Sequence, residues 1–476
     1  MKRGILNLLV FALVWCGNAA AEPGPPPNIV YLISDDQTYR DFGFMGNEKV
    51  HTPNLDALAA QSACFVNGYV PTSVCRPSLV TLLTGLYPHQ HGVTFNHGPP
   101  GNSGYNKMTS REEYERVRNR EFALIHKTKT LPGILARERG YRSLQTGKFW
   151  EGHWRNGGFT EGMTIFEAPP KSQTYGGVRK LASGERVAHG NGDWGLQIGR
   201  ETMAPITEFI DDCVAEKTPW LVWYAPYLPH QPHDSPERFF ELARSRPGVA
   251  EHELPYFAAI AQFDETVGEL VRYVEGKGLA ENTVFVLVVD NGWSPSRKPE
   301  KSRPVEFSHT HESKRAPFDD GLRTPILIRW DGVVKSATHE ELVSSIDLVP
   351  TFLSAAGAAA EKLPGIDLLP IAKGETRGNP DRTLFGEIYP GDATSLDNPA
   401  VDIAYRWARR GDYKLIVPHL HGKATEPWQG YLPNGDSTLY DVVSDPVESK
   451  NIIAEHPDIA ADLRKRLDAW WSPVGG

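Results

Sequence analysis

Three continuous apolar runs in the chain each end in polar residues, a pattern typical of parallel strands with a site at their carboxyl ends. They are NIVYLIS at 28–34 before Asp35 and Asp36, WLVWY at 220–224 before the PHQPH loop at 229–233, and TVFVLVV at 283–289 before Asp290 and Asn291. Because none of these runs alternates with polar residues, the strands are expected to be buried on both faces. The polar residues that follow them are predicted to carry the chemistry.

Helical spacing separates these runs. The clearest helix is predicted over 257–271, where apolar residues recur mostly at intervals of three and four before Gly276 and Gly278. Shorter helices are predicted near Thr52, near Pro77, at Leu131 and at Asp347. Strands that alternate with helices predict an α/β fold, in which helices cover both faces of a large parallel or mixed sheet.

The pattern changes after about residue 357. Residues 362–370 and 374–380 are rich in turn formers, and short strands are predicted at 383–388, 413–417 and 438–442, followed by a helix at 459–471. Since no helices separate these strands, they predict a small antiparallel sheet beside the main one. We therefore divide the chain into a main α/β domain at 22–365 and a C-terminal subdomain at 366–476.

The first 21 residues have the order of a secretory signal peptide. Lys2 and Arg3 precede an apolar run at 5–15 and then small residues at 19–21, and the run is too short to span a bilayer. Cleavage is predicted after Ala21, which gives a periplasmic or secreted protein without a membrane span. A lipoprotein signal that ends at Cys16 is the alternative, although the bulky Trp15 precedes it.

Composition limits the class of protein. Hydrophobic residues make up 40% of the chain and charged residues 23%, as in ordinary globular proteins. The formal charge is -9 and no basic run occurs, so nucleic acid is not expected as a partner. Removal of the signal peptide leaves Cys64, Cys75 and Cys213, an odd number, so at least one thiol is predicted to stay unpaired or to be chemically altered.

Four oxygen-bearing side chains follow two of the buried strands. Asp35 and Asp36 end the first strand, and Asp290 and Asn291 end the last. Hard oxygen ligands without histidine or cysteine suit calcium or magnesium, and calcium tolerates the irregular geometry that adjacent aspartates impose. The sequence therefore predicts a site for such an ion.

Several motifs in chain order resemble those of the type I sulfatases, the formylglycine-dependent, arylsulfatase-like enzymes of the alkaline phosphatase superfamily. They are NIVYLISDD at 28–36, CRPSLVTLLTG at 75–85, Tyr87-Pro88 with His91-Gly92, TGKFWEG at 146–152, PHQPH at 229–233, VVDNG at 288–292, KRAPFDDGLRTP at 314–325, SIDLVPTFLSAAG at 345–357, GDYKLI at 411–416 and LYDVVSDPVESKN at 439–451. The resemblance covers nearly all of the mature chain and implies an alkaline phosphatase-like fold.

The resemblance also implies a mechanism. A formylglycine-generating or anaerobic maturase would oxidise Cys75 to formylglycine (3-oxoalanine), whose hydrate carries two hydroxyl groups on one carbon. One oxygen attacks sulfur and displaces the alcohol, and loss of the proton from the other expels sulfate and restores the aldehyde. Asp35, Asp36, Asp290 and Asn291 would hold Ca2+. Lys148 and Lys314 would stabilise the sulfuryl charge, and His230 would act as acid for the leaving oxygen or bind sulfate.

Two positions depart from the family pattern. The signature C-x-P-S-R has Leu79 in place of its arginine, and Arg76 is the candidate to supply a charge at the substrate from the neighbouring position. The motif GKWH reads Gly147-Lys148-Phe149-Trp150, so its histidine is absent. His153 is the candidate substrate-binding replacement, and an exposed position in a loop is the alternative for it.

Two other functions stay open. Phosphodiester or phosphonate hydrolysis occurs in the same superfamily, and His309 with His311 resembles half of a two-metal site. However, Asn291 and Cys75 do not match those enzymes, so we interpret the histidine pair as a loop or substrate contact. If Leu79 prevents maturation of Cys75, the pocket would bind a sulfated glycan without turnover.

The expected substrate is a sulfated oligo- or polysaccharide. The resemblance implies this class, and Trp150, Trp154 and Trp428 are candidates to stack on sugar rings. The chain has no Asn-x-Ser/Thr sequon, which favours a bacterial periplasmic or secreted enzyme over a glycosylated lysosomal one.

Overall fold

A computed structural model of the chain describes residues 25–170, 175–294, 312–359, 362–389, 391–419 and 435–473. The strands in these ranges are β1 (Asn28–Ser34), β2 (Ala63–Tyr69), β3 (Arg142–Gly147), β4 (Glu161–Gly162), β5 (Val178–Lys180), β6 (Arg186–Ala188), β7 (Trp220–Ala225), β8 (Thr283–Val289), β9 (Arg323–Arg329), β10 (Ala337–His339), β11 (Val343–Ser344), β12 (Thr383–Ile388), β13 (Tyr405–Arg410), β14 (Tyr413–Pro418) and β15 (Thr438–Asp441). The α-helices are α1 (Pro53–Ala60), α2 (Cys75–Thr84), α3 (Pro88–His91), α4 (Asn102–Tyr105), α5 (Arg111–Phe122), α6 (Leu131–Arg139), α7 (Ala204–Glu216), α8 (Glu237–Arg244), α9 (Leu254–Gly276), α10 (Asp319–Leu322), α11 (Leu348–Ala356), α12 (Leu369–Ala372) and α13 (Pro457–Trp470).

The main sheet is mixed. Its strands lie in the order β10-β2-β9-β8-β1-β7-β3-β4, and β11 also pairs with β2. Strand β1 runs parallel to β7 and β8, and β3 runs parallel to β7. Strand β9 is antiparallel to both β2 and β8. The predicted large mixed sheet is therefore confirmed.

Helices cover both faces of this sheet. Ile29, Tyr31 and Ile33 of β1 pack in the same hydrophobic cluster as residues of α2, α6 and α11. The alternate residues Val30 and Leu32 pack with residues of α1, α7 and α9 on the opposite face. Because successive side chains of a strand point to opposite faces, a strand between two helical layers needs apolar residues at every position.

The small C-terminal sheet is antiparallel, in the order β12-β13-β14-β15. Helix α13 covers one face, where Leu463 and Leu467 pack with Leu415. The other face packs on the main domain through Trp407 and Tyr69. The division at residue 365 stays a prediction.

The predicted helices occur close to the expected positions. The long helix α9 ends at Gly276, while α1, α2, α6 and α11 begin at Pro53, Cys75, Leu131 and Leu348. None of the described helices is long and apolar enough to cross a membrane. The predicted signal peptide and Cys16 lie outside the described residues, so cleavage after Ala21 stays a prediction.

Candidate active site

The carboxyl ends of four adjacent parallel strands meet at one edge of the main sheet. Strands β8, β1, β7 and β3 are consecutive in the sheet, so the residues that follow them are brought together. Hydrogen bonds join these ends directly. The backbone N–H of Asp36 donates to Asp290 Oδ1 at 3.1 Å, and Asn291 Nδ2 donates to Asp36 Oδ1 at 2.6 Å. The structure thus brings together all four predicted metal ligands.

Helix α2 places Cys75 beside this edge. The helix begins at Cys75, and Ser78 in its first turn donates a hydrogen bond to the Asp290 carbonyl oxygen at 2.6 Å. The sulfur of Cys75 lies 3.7 Å from Asp36 Oδ1, and the residue is only 1% exposed. Pro77 is accommodated because the first turn of a helix does not use its N–H groups.

Two buried lysines neutralise part of the carboxylate charge. Lys148 Nζ lies 2.5 Å from Asp35 Oδ1 and 3.1 Å from Asp290 Oδ2. Lys314 Nζ lies 2.7 Å from both oxygens of Asp36. Burial alone lowers the pKa of each lysine, but these aspartates raise it above its ordinary value. Both side chains are therefore positively charged.

A glycine lets Lys148 enter the site. Gly147 has a φ of +71°, and a Cβ atom there would lie 1.8 Å from the Ala225 carbonyl oxygen. Only glycine allows β3 and β7 to approach this closely while the chain turns. The Lys148 N–H then donates to the same carbonyl at 2.7 Å, which fixes the direction of its side chain.

His230 completes the group. Its Nε2 lies 3.3 Å from Asp36 Oδ2, and its Nδ1 lies 2.6 Å from the Gln231 carbonyl oxygen. Its ring stacks on Tyr227 with 4.2 Å between ring centroids. Burial lowers the pKa of His230 well below its ordinary value, although Asp36 opposes this shift.

Burial governs the ionisation of the other groups. It raises the pKa of the Cys75 thiol to about 12, so this thiol is protonated at neutral pH. It also raises the pKa of Asp35, with help from Asp290. For Asp36, burial is outweighed by Lys314 and His230, which hold its pKa below the usual range.

The donor atoms fit a hard cation. Asp35 Oδ2 and Asn291 Oδ1 are buried, and neither has a hydrogen-bond partner among the described residues. Two unpartnered oxygens beside Asp36 and Asp290 are unusual in an interior, where polar atoms are normally paired. An all-oxygen donor set of this kind suits calcium or magnesium.

The structure does not bring Arg76 and His153 into this group. The Arg76 guanidinium is fully buried and bonds to Glu151 and Glu121. His153 Nδ1 accepts from the Arg155 N–H, and its ring lies against Trp154. His309, His311 and Trp428 lie outside the described residues.

Leu79 and the three cysteines left after the predicted cleavage are all buried. Leu79 packs in the main hydrophobic cluster and is 4% exposed. Cys64, Cys75 and Cys213 are buried, and none of them forms a disulfide within the described chain. The prediction of at least one unpaired thiol is therefore confirmed.

Sequence reasoning missed Tyr227. Its φ is +61°, which is unusual for a residue with a side chain, and its ring centroid is 5.4 Å from Lys148 Nζ. The residue follows β7 in the segment before the PHQPH loop, so its position past a strand end was the available signal.

Comparison with known families decides which family has this arrangement. The family model described as Sulfatase matches residues 27–358. The chain belongs to the sulfatase family. A second model, N-sulphoglucosamine sulphohydrolase, C-terminal, matches residues 308–471 of the sulfatase.

Relatives of this sulfatase cover nearly all of it. Arylsulfatase A of Homo sapiens is 27% identical over 90% of this chain and 83% of the human protein. An N-acetylgalactosamine-6-O-sulfatase of Bacteroides thetaiotaomicron is 24% identical over 93% of each chain. The crystal structure of Ps i-CgsB in complex with k-i-k-neocarrahexaose shares the fold, with a TM-score of 0.68, 20% identity and coverage of 94% of this chain and 92% of the other. The protein is therefore a sulfatase, an enzyme that hydrolyses sulfate esters, with an alkaline phosphatase-like fold.

Proposed function

We propose that this sulfatase removes sulfate from a sulfated oligo- or polysaccharide, with formylglycine made from Cys75 as the nucleophile. The observation that carries the proposal is the position of Cys75, at the start of α2 and 3.7 Å from Asp36, which also bonds to Lys314. The carbohydrate class is supported by the names of the relatives, one an N-acetylgalactosamine-6-O-sulfatase and one bound to k-i-k-neocarrahexaose.

The protonated state of the Cys75 thiol argues against the thiol itself as the nucleophile. A thiol with a pKa of about 12 provides almost no thiolate for direct attack at neutral pH. Formylglycine, once formed by a maturase, supplies a hydrated aldehyde with two hydroxyl groups at this position. The start of α2 adds the positive end of a helix, which stabilises an anion such as sulfate.

The surrounding residues supply charge and orientation. Lys148 and Lys314 place two ammonium groups beside position 75, where the sulfuryl oxygens gather negative charge in the transition state. The Nδ1–H of His230 donates to the Gln231 carbonyl oxygen, which directs Nε2 toward Asp36 and the reacting group. Nε2 of the singly protonated ring is an acceptor, so donation to the leaving oxygen requires the ring to take up a second proton.

Asp35, Asp36, Asp290 and Asn291 would hold Ca2+, because their buried oxygens include two without partners in the described chain. The ion would supply positive charge for a sulfate oxygen. Phosphodiester or phosphonate hydrolysis has less support, since two-metal centres use several histidines and His230 is the one histidine that the described residues bring to this group.

Leu79 favours a second candidate function. Its side chain packs in the core one helical turn after Cys75, so no arginine from this position reaches the site. If maturation depends on that arginine, the same charged pocket would bind a sulfated glycan without hydrolysis.

We also propose export to the periplasm or medium through residues 1–21.

Peptide mass spectrometry across Cys75 tests the proposal, on protein produced together with a maturase. We expect an aldehyde in place of the thiol, and sulfate release from sulfated sugars that Cys75→Ala abolishes. Cys213→Ala, at a buried thiol remote from the site, is the matched control and is expected to keep activity. An unmodified Cys75 in protein that still binds sulfated sugar would support the binding function instead.

A further inference from the structure

A second group of polar side chains adjoins the site without taking part in the proposed chemistry. It consists of His97, Trp150, His189 and Asn191, which we call the neutral cluster. The three rings contact one another edge to face, with centroid distances of 5.6 Å for His97 to Trp150, 5.7 Å for His97 to His189 and 5.5 Å for Trp150 to His189. His189 is partly exposed, whereas His97, Trp150 and Asn191 are buried.

One short chain segment and one hydrogen bond connect the cluster to the residues of the active site. Trp150 follows Lys148 by two residues. His97 follows Asn96, whose Oδ1 accepts the Arg76 N–H at 2.9 Å in the first turn of α2. The cluster therefore begins within two residues of Lys148 on one side and is tied to the turn that carries Cys75 on the other.

Asn191 provides a third connection. Its carbonyl oxygen accepts the Phe149 N–H at 3.1 Å, and its Nδ2 lies 3.5 Å from the hydroxyl oxygen of Tyr227. Tyr227 in turn stacks on His230. The loop that carries Asn191 has positive φ angles at Gly190, Gly192 and Asp193, and unusual backbone of this kind is concentrated at functional sites.

Each member of the cluster has one buried polar atom without a partner among the described residues. These atoms are His97 Nε2, Trp150 Nε1, His189 Nδ1 and Asn191 Oδ1. Buried polar atoms in folded proteins are normally hydrogen-bonded, and an unpaired one costs about 1–3 kcal/mol. Four such atoms in one group indicate that a ligand or ordered water satisfies them.

The partners of the rings assign the donors and acceptors. His97 Nδ1 lies 3.1 Å from Asp392 Oδ1, so Nδ1 carries the proton and Nε2 is an acceptor. His189 Nε2 lies 3.3 Å from Arg179 Nη2, which can only donate, so His189 Nδ1–H is a donor. Burial lowers the pKa of His97 to about 4 and that of His189 well below its ordinary value, so both rings are neutral at pH 7.

We propose that the neutral cluster is the subsite for a sugar ring next to the scissile sulfate, and that this ring carries hydroxyl groups and no second anionic substituent. This inference rests on the proposed function. Trp150 Nε1–H and His189 Nδ1–H are donors, whereas His97 Nε2 and Asn191 Oδ1 are acceptors. A hydroxyl group both donates and accepts, so it matches either kind. A carboxylate or second sulfate only accepts and would leave both acceptors unpaired.

The nearest arginine does not change this conclusion. Arg179 Nη2 donates to Asn102 Oδ1 at 2.7 Å and Nη1 to Asn106 Oδ1 at 2.6 Å, so both terminal nitrogens of its guanidinium have partners. Arg118 lies over the rings of Tyr105 and Phe122 and is fully buried. Its nitrogens have no hydrogen-bond partner among the described residues, but Nη1 lies 3.8 Å from Glu121 Oε2, so its charge faces a carboxylate. A substrate that needed a second positive charge would find neutral groups in contact instead.

Substrate discrimination by two variants tests the subsite. Asn191→Ala removes an acceptor, and Trp150→Phe removes an N–H while it keeps an aromatic ring. We expect each variant to lower kcat/KM for galactose monosulfates about tenfold more than for para-nitrophenyl sulfate, the value of one neutral hydrogen bond. Asn119→Ala, on the exposed side of α5, is the matched control and is expected to change neither value. Equal losses of kcat/KM on both substrates would overturn the subsite. A tenfold preference of the parent enzyme for a galactose disulfate over the monosulfates would overturn it as well.

Binding separates this inference from the proposed function. Calorimetric titration of galactose monosulfates into Cys75→Ala protein needs no turnover, and we expect Asn191→Ala to weaken Kd about tenfold in that background. Weaker binding without any turnover by the matured enzyme would support the subsite and contradict the proposed hydrolysis. If galactose monosulfates and para-nitrophenyl sulfate are both hydrolysed and the variants affect them equally, the proposed hydrolysis is supported and the subsite is contradicted. If the protein neither binds nor hydrolyses sulfated sugars, both the subsite and the proposed hydrolysis are overturned.

Discussion

Replacement of Arg76 by methionine removes a positive charge that the chain keeps entirely away from water. The Arg76 side chain is 0% exposed. Its Nε and Nη2 donate to the two carboxylate oxygens of Glu151, each at 2.8 Å, and its Nη1 lies 3.3 Å from Glu121 Oε2. We expect Arg76→Met to reduce stability strongly, because both carboxylates lose a buried partner.

The burial of this ion pair sets the expected loss of stability. Removal of one partner of a buried ion pair costs about 3–5 kcal/mol, since the other charge stays buried without compensation. Glu121 keeps Arg118 at 3.8 Å, so most of the loss falls on Glu151. With an unfolding entropy of about 2 cal/mol/K per residue, a chain of this length melts roughly 3–5 °C lower.

Thermal and urea unfolding measure this loss, with an exposed pair of the same chemistry as the control. Arg238 donates to both oxygens of Glu265 at 2.6 Å each, but its side chain is 57% exposed. Arg238→Met is expected to cost at most about 1 kcal/mol, because water and salt screen an exposed pair. The two variants differ mainly in burial, so the difference between them isolates desolvation.

A contrary result would assign Arg76 to the substrate. If Arg76→Met melts like the parent protein but loses kcat/KM for sulfate esters, the buried ion pair is not the role of this residue. The double variant Arg76→Met/Glu151→Gln sharpens the test. It removes the stranded charge and should recover about 1–3 kcal/mol of the loss, whereas a substrate contact would show no such coupling.

Four further outcomes are expected. Gly147→Ala should reduce both melting temperature and kcat, because its Cβ would meet the Ala225 carbonyl oxygen, and assays of both would show it. Lys314→Met should lower kcat about 10²–10³-fold in a sulfate-release assay while KM changes less. Chelation should lower activity and melting temperature, and Ca2+ at 100 times its Kd should restore about 2.7 kcal/mol. Burial raises the pKa of Asp193 from 3.8 to about 7, so the fold favours its protonated form, and the stability it contributes is lost as pH rises from 4 toward 7. Melting at pH 5 and pH 8 should therefore show a smaller decrease for Asp193→Asn than for the parent protein.

The sequence predicted the elements whose burial pattern is simple. Strands β1, β7 and β8 lie between two helical layers, so their apolar runs are continuous and were recognised. Strand β13 was missed because it reads YRWARR. Its Arg406 and Arg409 are buried, and their partners include Asp468 and Tyr69, which lie far away in the sequence.

The same distinction applies to the site. Asp35, Asp36, Asp290 and Asn291 directly follow strands, and neighbouring parallel strands bring such residues together whatever the loops do. The partners of Arg76 could not be predicted, because Glu151 is 75 positions away and no periodic pattern links them. The neutral cluster was missed for a similar reason, since His97, His189 and Asn191 come from irregular segments.

With Leu79 in place of the signature arginine, the site would depend more strongly on the proposed divalent cation. Every residue of α2 is buried, and Leu79 packs in the core, so the helix contributes no side-chain charge to the site beyond its own N-terminus. In ionised form, Asp35, Asp36 and Asp290 carry one negative charge more than Lys148 and Lys314 neutralise. A buried site with that balance repels sulfate. One divalent cation reverses the sign of the site, and with Leu79 in place of arginine, no side chain at that position can do so.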